Sequence, residues 1–297
     1  VLGMMPDFIF NETGLSERIK IFSPDYQKIV YFEKDNTQIN IHKDAHKLSK
    51  ELNKKVGENG DIIGFRNDEN KVIKFIREGY RNGIPPNLDE AEKKLGKSIV
   101  KLWIKGSARN LLNHYFTSER TKLYMGMTVI ESSPESIDSP GSAFIIPLMD
   151  SGSVFDGYWG YVKNGIWQIT EELGKINSIN GVNIKTSIDI NYVDEISKKV
   201  ILNNGKEYNY DILIFATDPL TPSKFIDNNE LNKSLNSKKI IGTSGKVTVF
   251  FKNKVQWKNH NNDDKSLSSF RFIFSVNNLD EFELRSNNSL NGVSDYE

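Results

Sequence analysis

Between Asp61 and about Ile130 the apolar residues recur at three- and four-residue spacing, whereas the flanking segments switch to short alternating or continuous apolar runs. The first pattern predicts amphipathic helices that bury one stripe, and the second predicts strands. "NKVIKFIREGY" places Val72, Phe75, Ile76 and Tyr80 on one helix face. "SIVKLWIKGSARNLLNHYF" repeats this with Ile99, Leu102, Trp103, Leu111, Leu112 and Tyr115. "GIPPN" separates the two, since Pro85 and Pro86 stop one helix and Asp89 stands near the start of the next. An earlier helix is expected from Asp44, as its cap, through Leu48, Leu52 and Val56 to Gly57.

"KIVYF" and "TQINI" flank "EKDN" and predict a hairpin over 28–41. After the Ser/Pro/Gly loop "SSPESIDSPGS" come a short apolar helix over 144–149, the aromatic run "GYWGYVKNG" and a helix from about Ile166 to Ile176. Four β runs follow, "VNIK", "IDINYVDEI", "KVILN" and "EYNYDILIFA", with "NNG" at 203–205 as a tight turn before the last. Within that last run Ile212 to Ala216 are continuously apolar, which predicts a strand buried on both faces, as in a parallel sheet. Such strands present ligand-binding residues at their carboxyl ends, here Thr217, Asp218 and Pro219. Residues 166–219 are therefore expected to form one α/β unit: a helix, an antiparallel meander and a buried returning strand. "GKVTVFF" and "FRFIFSV" predict two further strands.

Composition narrows the chemistry. Lys and Arg number 39 and Asp and Glu 39 in 297 residues, a balance that favours neither nucleic acid nor an anionic membrane as partner. No apolar run approaches the ~20 residues of a transmembrane helix, and no signal peptide is visible, so the chain reads as cytoplasmic, or as an organelle-matrix protein. Without cysteine there are no disulfides, thiolate metal sites or Cys-x-x-Cys pair, and redox chemistry would need a bound cofactor. The start at Val1 and the polar end "GVSDYE" read as those of a fragment. His42 and His46 have the spacing of a metal pair, but Asp44 as a helix cap leaves His42 outside the helix, and surface histidines are the better reading.

The order of "GYWGYVKNG", helix, "GVNI", strand, "KKVILNNGKEY" and "YDILIFATDP" resembles the FAD-dependent phytoene desaturase-like and amine oxidase-like oxidoreductases. Trp159, Gly160, Tyr161, Val162, Lys163, Asn164 and Gly165 stand at a Trp-Gly-Tyr-Val-x-Gly-Gly segment of that family, with Asn164 replacing its first paired glycine and Trp167 a helix glycine. "SPGSAFIIPLMDSG" and "HYFTSERTKLYMGMTVI" are similar to segments upstream of it. The family's opening G-x-G-x-x-G turn, whose helix N-terminus holds the FAD pyrophosphate, is absent, as is its closing glycine-rich segment.

The resemblance implies a mixed α/β (α+β) chain: a partial FAD/NAD(P)-binding Rossmann-like domain with an inserted helical and β substrate domain. Residues 1–43 would be a β-containing part of the substrate domain, 44–157 its mainly helical cap, 158–227 part of the FAD-binding domain, and 228–297 incomplete substrate-domain strands. It implies FAD contacts at Gly165, Ile188, Ala216, Thr217, Asp218 and Pro219, and substrate contacts at Tyr158, Trp159 and Tyr161. The implied activity is hydride transfer from a small-molecule or lipophilic substrate to flavin. Plainer readings stand beside these roles: Asp218 or Thr217 as a helix cap with Pro219 at its first position, Ile188 as core, and the aromatic trio as sheet packing. The alternatives for the whole are a flavin amine oxidase, a carotenoid desaturase proper, or a non-catalytic scaffold that has lost the cofactor.

Overall fold

The computed structural model describes residues 2–24, 28–83, 85, 87–132, 136–236, 245–258 and 269–293. It is a mixed structure of helices and small sheets. These divide into two compact units, residues 1–173 with 243–297, and residues 174–242. The segment 158–227, expected from sequence to belong to one domain, is divided between them.

The first unit opens with two short helices, α1 (Asp7–Glu12) and α2 (Leu15–Arg18), and a short strand β1 (Ile21–Phe22). The predicted hairpin follows as β2 (Lys28–Phe32) and β3 (Thr37–Ile41), in register from Lys28 opposite Ile41 to Phe32 opposite Thr37. Its turn is local chemistry: Asn36 takes a left-handed φ of 58°, and the Asp35 carboxylate accepts the Thr37 N–H at 3.2 Å.

The helical stretch also forms, although "SIVKLWIKGSARNLLNHYF", expected as one helix, is interrupted at residues 105–107. Helix α3 (Ala45–Val56) is capped by Asp44, which accepts the Lys47 N–H, and it ends at Gly57 with φ 68°. Helix α4 (Ile62–Asn82) is capped by Asp61 and ends at Gly83, and α5 (Leu88–Leu95) is capped by Asn87. A single turn, α6 (Lys97–Ile99), passes into a π-helical turn over Val100–Ile104. Helices α7 (Ala108–Tyr115), α8 (Glu119–Ser132) and α9 (Ile145–Met149) complete the block. Their apolar faces meet in one core in which Phe65, Trp103, Leu111, Leu112 and Leu123 are fully buried.

"GYWGYV" yields only a two-residue strand, β4 (Tyr161–Val162), paired with β1, and an isolated bridge from Gly160 to Leu2. Helix α10 (Trp167–Ile179) then leads into the second unit. There β5 (Ile190–Asp194), β6 (Lys199–Leu202) and β7 (Glu207–Asn209) form an antiparallel meander, with Gly205 at φ 79° in the predicted "NNG" turn. A 3-10 turn (Thr221–Lys224) and α11 (Asn229–Asn236) follow. Back in the first unit, β8 (Phe270–Phe274) pairs parallel to β2, giving the order β3-β2-β8, and α12 (Leu279–Leu290) packs on α8.

Three expected strands do not form. Ile212 to Ala216 make no ladder, and Ile212 and Ile214 are each 81% exposed, so the buried returning strand is corrected. An apolar run becomes a two-faced buried strand only where other strands and helices cover it, and none of the described residues does so here. The small core of the second unit instead takes Val193, Leu202 and Ile226, and the Val193 N–H donates to the Phe225 carbonyl at 2.8 Å. "VNIK" and "GKVTVFF" are likewise without strand pairing, with Val182, Ile184, Val247 and Phe250 exposed. "FRFIFSV" supplies β8 as expected.

Candidate functional site

The first unit holds a half-open cavity of about 310 Å³ between the start of β2, one face of α4, one face of α8 and the loop after α9. Strand alternation puts Lys28 on the same face of β2 as Val30 and Phe32, which belong to the core shared with the helices. Lys28 is thus carried inward on an otherwise apolar strand and is 8% exposed. Helical spacing sets Arg66, Glu69 and Ile73 on one face of α4, and Tyr124 and Thr128 on one face of α8.

The loop from Asp150 to Tyr158 closes the remaining side. Arg77 on α4 holds it, donating from Nε to the Ser151 carbonyl at 2.9 Å and from a guanidinium nitrogen to the Gly152 carbonyl at 2.7 Å. Gly157 makes the return, with φ 79° and a position where a Cβ would sit 2.6 Å from the Asp150 carbonyl oxygen. Only glycine fits both conditions.

Arg66 and Glu69 form an ion pair at 2.5 Å, with Glu69 2% exposed. Burial disfavours charge on Arg66, but the neighbouring Glu69 carboxylate outweighs it and holds the guanidinium protonated. Burial pushes the Glu69 carboxyl up while Arg66 draws it down. We take the pair as ionised, because arginine is not deprotonated in proteins and its guanidinium lies directly on the carboxylate. Two atoms of the pair, Arg66 Nε and Glu69 Oε1, are buried without a hydrogen-bond partner, as is Thr128 Oγ1. For Lys28, burial acts against the ammonium and Tyr124 and Asp150 act for it, with the balance above the ordinary lysine value. Burial raises the Tyr124 and Tyr158 phenols.

The residues singled out in the sequence fall in different places. Tyr158 lines the cavity, with the Lys43 ammonium 4.7 Å from its ring centre. Trp159 packs edge-on against Phe270 at 5.4 Å and carries the Lys28 ammonium over its ring at 5.1 Å. Tyr161 stacks on Phe270 at 4.9 Å and on Phe22 at 5.4 Å, as sheet packing. Gly165 lies in the turn before α10 with φ 111°, and the Trp167 indole occupies the space its Cβ would take, at 2.8 Å. Ile188 precedes β5 and is 43% exposed.

Ala216, Thr217, Asp218 and Pro219 are exposed. Asp218 closes its own turn: it accepts the Leu220 N–H at 2.9 Å and the Thr221 N–H at 3.1 Å, and also the Thr221 hydroxyl. These hydrogen bonds, Thr221 first, hold its carboxyl below the usual range. The 3-10 turn that follows begins after Leu220 without a side-chain cap, and Pro222, rather than Pro219, stands in its first positions. Among the described residues no cluster of three or more His, Asp or Glu could hold a metal, and no helix is long and apolar enough to cross a membrane.

Sequence reading missed Lys28, Arg66, Glu69, Tyr124 and Asp150. A signal was present: Glu69 lies four residues from both Phe65 and Ile73, a charge on the apolar stripe of a helix.

No family profile matches the chain, and no curated protein does. Among solved structures it is similar to the crystal structure of the PF1083 protein from Pyrococcus furiosus, at 15% identity and TM-score 0.47, over 80% of this chain and 51% of that one. The chain spans about half the length of that protein. At that identity and score the likeness bears on neither fold nor function.

Proposed function

We propose that the chain binds a small organic substrate in the cavity between β2, α4 and α8, as the substrate-side portion of an FAD-dependent oxidoreductase of dehydrogenase or desaturase type. The reading includes a Rossmann-like FAD domain and rests on resemblance to the phytoene desaturase-like and amine oxidase-like enzymes. The observation that carries the substrate site is the half-open cavity with buried polar atoms on α4 and α8 that have no hydrogen-bond partner among the described residues. What supports the flavin part is the order α10, meander β5-β6-β7 and turn at Asp218, which follows the order of the resembling segments.

The described residues do not build a cradle for FAD. Trp167 fills the open side of Gly165, the Asp218 carboxylate is engaged in its own turn, and Ile212 to Ala216 lie outside any described sheet with Ile212 and Ile214 exposed. We therefore derive no step through the flavin. FAD, where bound, would supply the hydride acceptor; this chain's residues would position a substrate and exclude water from it.

A second reading, a ligand-binding protein without catalysis, is favoured by one observation: the cavity is lined entirely by the first unit. Expression of the complete reading frame that carries this sequence separates the two. The oxidoreductase reading expects a yellow protein with bound FAD that bleaches on anaerobic addition of a substrate. A folded, colourless protein that takes up no FAD on titration overturns it.

A further inference from the structure

We propose that the cavity of the first unit binds a small organic monocarboxylate, its head on Lys28 and Arg66 and its short apolar chain against Ile73, Met125 and Ile146. The proposal takes the cavity as the ligand site of the reading above and adds the class of ligand.

Charge decides the head group. Three cations and three carboxylates line the cavity: Lys28, Lys43 and Arg66 against Glu69, Asp150 and Asp156. Arg66 is spent on Glu69 at 2.5 Å, and Asp156 lies 3.8 Å from Arg77, outside the lining. Two ammonium groups then face one carboxylate, Asp150. Lys28 is the deeper of them, and among the described residues no carboxylate pairs with it directly; its ammonium lies 5.1 and 6.0 Å from the rings of Trp159 and Phe272, with Asp150 acting on it from farther off. Against burial, Tyr124 and Asp150 hold it protonated without a direct ion pair, so it offers an ammonium with which a ligand carboxylate can pair. Unpartnered donors stand beside it. Arg66 Nε is buried with no acceptor, and so is Thr128 Oγ1. A carboxylate accepts from several donors at once through two charged oxygens, which makes it the stronger acceptor for them.

Shape and lining decide the tail. About 310 Å³ lies at the small end of ligand cavities and suits a short chain. Ile73 and Ile146 are 6% and 4% exposed and Met125 7%, so this end is apolar and adaptable.

Hexanoate is a suitable probe, measured by isothermal titration against hexan-1-ol, hexylamine and inorganic phosphate, with no flavin added. Hexanoate is expected to bind at least tenfold more tightly than each of the other three. Lys28→Met keeps the volume and is expected to fold and to lose at least tenfold in hexanoate affinity. The inference is overturned if wild-type protein does not bind hexanoate, binds the alcohol, amine or phosphate as well, or if folded Lys28→Met binds unchanged. Should Lys28→Met not fold, the wild-type discrimination among the four probes decides by itself. Because no flavin enters the assay, carboxylate binding in a protein that never takes up FAD would leave this inference standing and remove the oxidoreductase reading.

Discussion

The Glu58 carboxylate accepts the backbone N–H of Ser118 at 3.0 Å, joining the turn after α3 to the start of α8 across 60 residues of sequence. It also accepts the Gly60 N–H at 2.6 Å and both the N–H and hydroxyl of Thr117 at 2.9 Å. At 2% exposure its burial pushes the carboxyl up, but the donors from Thr117, Gly60 and Ser118 prevail and hold it below the ordinary glutamate value.

A depressed folded-state value means that Glu58 contributes stability above the unfolded value of about 4.3, and loses that contribution as pH falls through the lower folded value. Glu58→Gln is expected to cost about 1–3 kcal/mol at pH 7, since one acceptor oxygen becomes a donor facing buried N–H groups. Urea unfolding across pH 7 to 3 should show the gap between wild type and variant closing only in acid. A gap that is constant with pH would refute the assignment.

Breaking the Arg66–Glu69 pair should cost more than replacing it. Glu69→Ala leaves a guanidinium that is 17% exposed without its carboxylate, and a loss of about 3–5 kcal/mol is expected. The double variant Arg66→Met/Glu69→Leu should lie within about 1.5 kcal/mol of wild type. Equal losses in the single and double variants, by urea unfolding, would count against a buried ion pair.

Gly126 on α8 marks the closest approach of three elements. A Cβ there would stand 2.6 Å from Leu112 Cδ1 and 3.1 Å from Leu279 Cδ1, both on fully or nearly fully buried leucines. Gly126→Val is therefore expected to destabilise by about 1–3 kcal/mol through overpacking. A neutral or stabilised variant in thermal unfolding would mean that α8 and α12 do not pack as described.

Ile214, 81% exposed, has no packing to lose. Ile214→Lys is expected to change stability by no more than about 0.5 kcal/mol and to reduce self-association seen by light scattering. Unfolding of the second unit by this substitution would restore the buried-strand expectation.

Titration of the 297-residue chain itself with FAD is expected to give weak binding or none, and no flavin-dependent turnover. The pyrophosphate of a dinucleotide is held by backbone N–H groups of a G-x-G-x-x-G turn, which the sequence lacks. A yellow stoichiometric complex would show a complete cradle and refute this.

Where contacts are local, the amino-acid order alone determined the outcome. Asp44 and Gly57 bound α3 because a carboxylate within three residues satisfies the first N–H groups and a glycine can turn left-handed at the end. The hairpin over 28–41 closes through its own turn residues, and the apolar stripe of α4 repeats at helical spacing. The Asp218 carboxylate accepts nearby N–H groups for the same reason, although the 3-10 turn after it has Leu220, not Asp218, at its cap position. Tertiary structure alone decided which apolar runs became strands. "FRFIF" pairs with β2, more than 200 residues before it, while "ILIFA" and "VTVFF", no less apolar, lie outside any described sheet. A strand is stabilised by the neighbours that cover it, and those neighbours are not written in its own residues. The cavity is the same case. Lys28, Arg66, Thr128 and Asp150 come from four separate elements, and no spacing along the chain encodes their meeting. Only Glu69 betrays it, as a charge among Phe65, Val72 and Ile73, where burial without a partner would be too costly for a helix packed in a core.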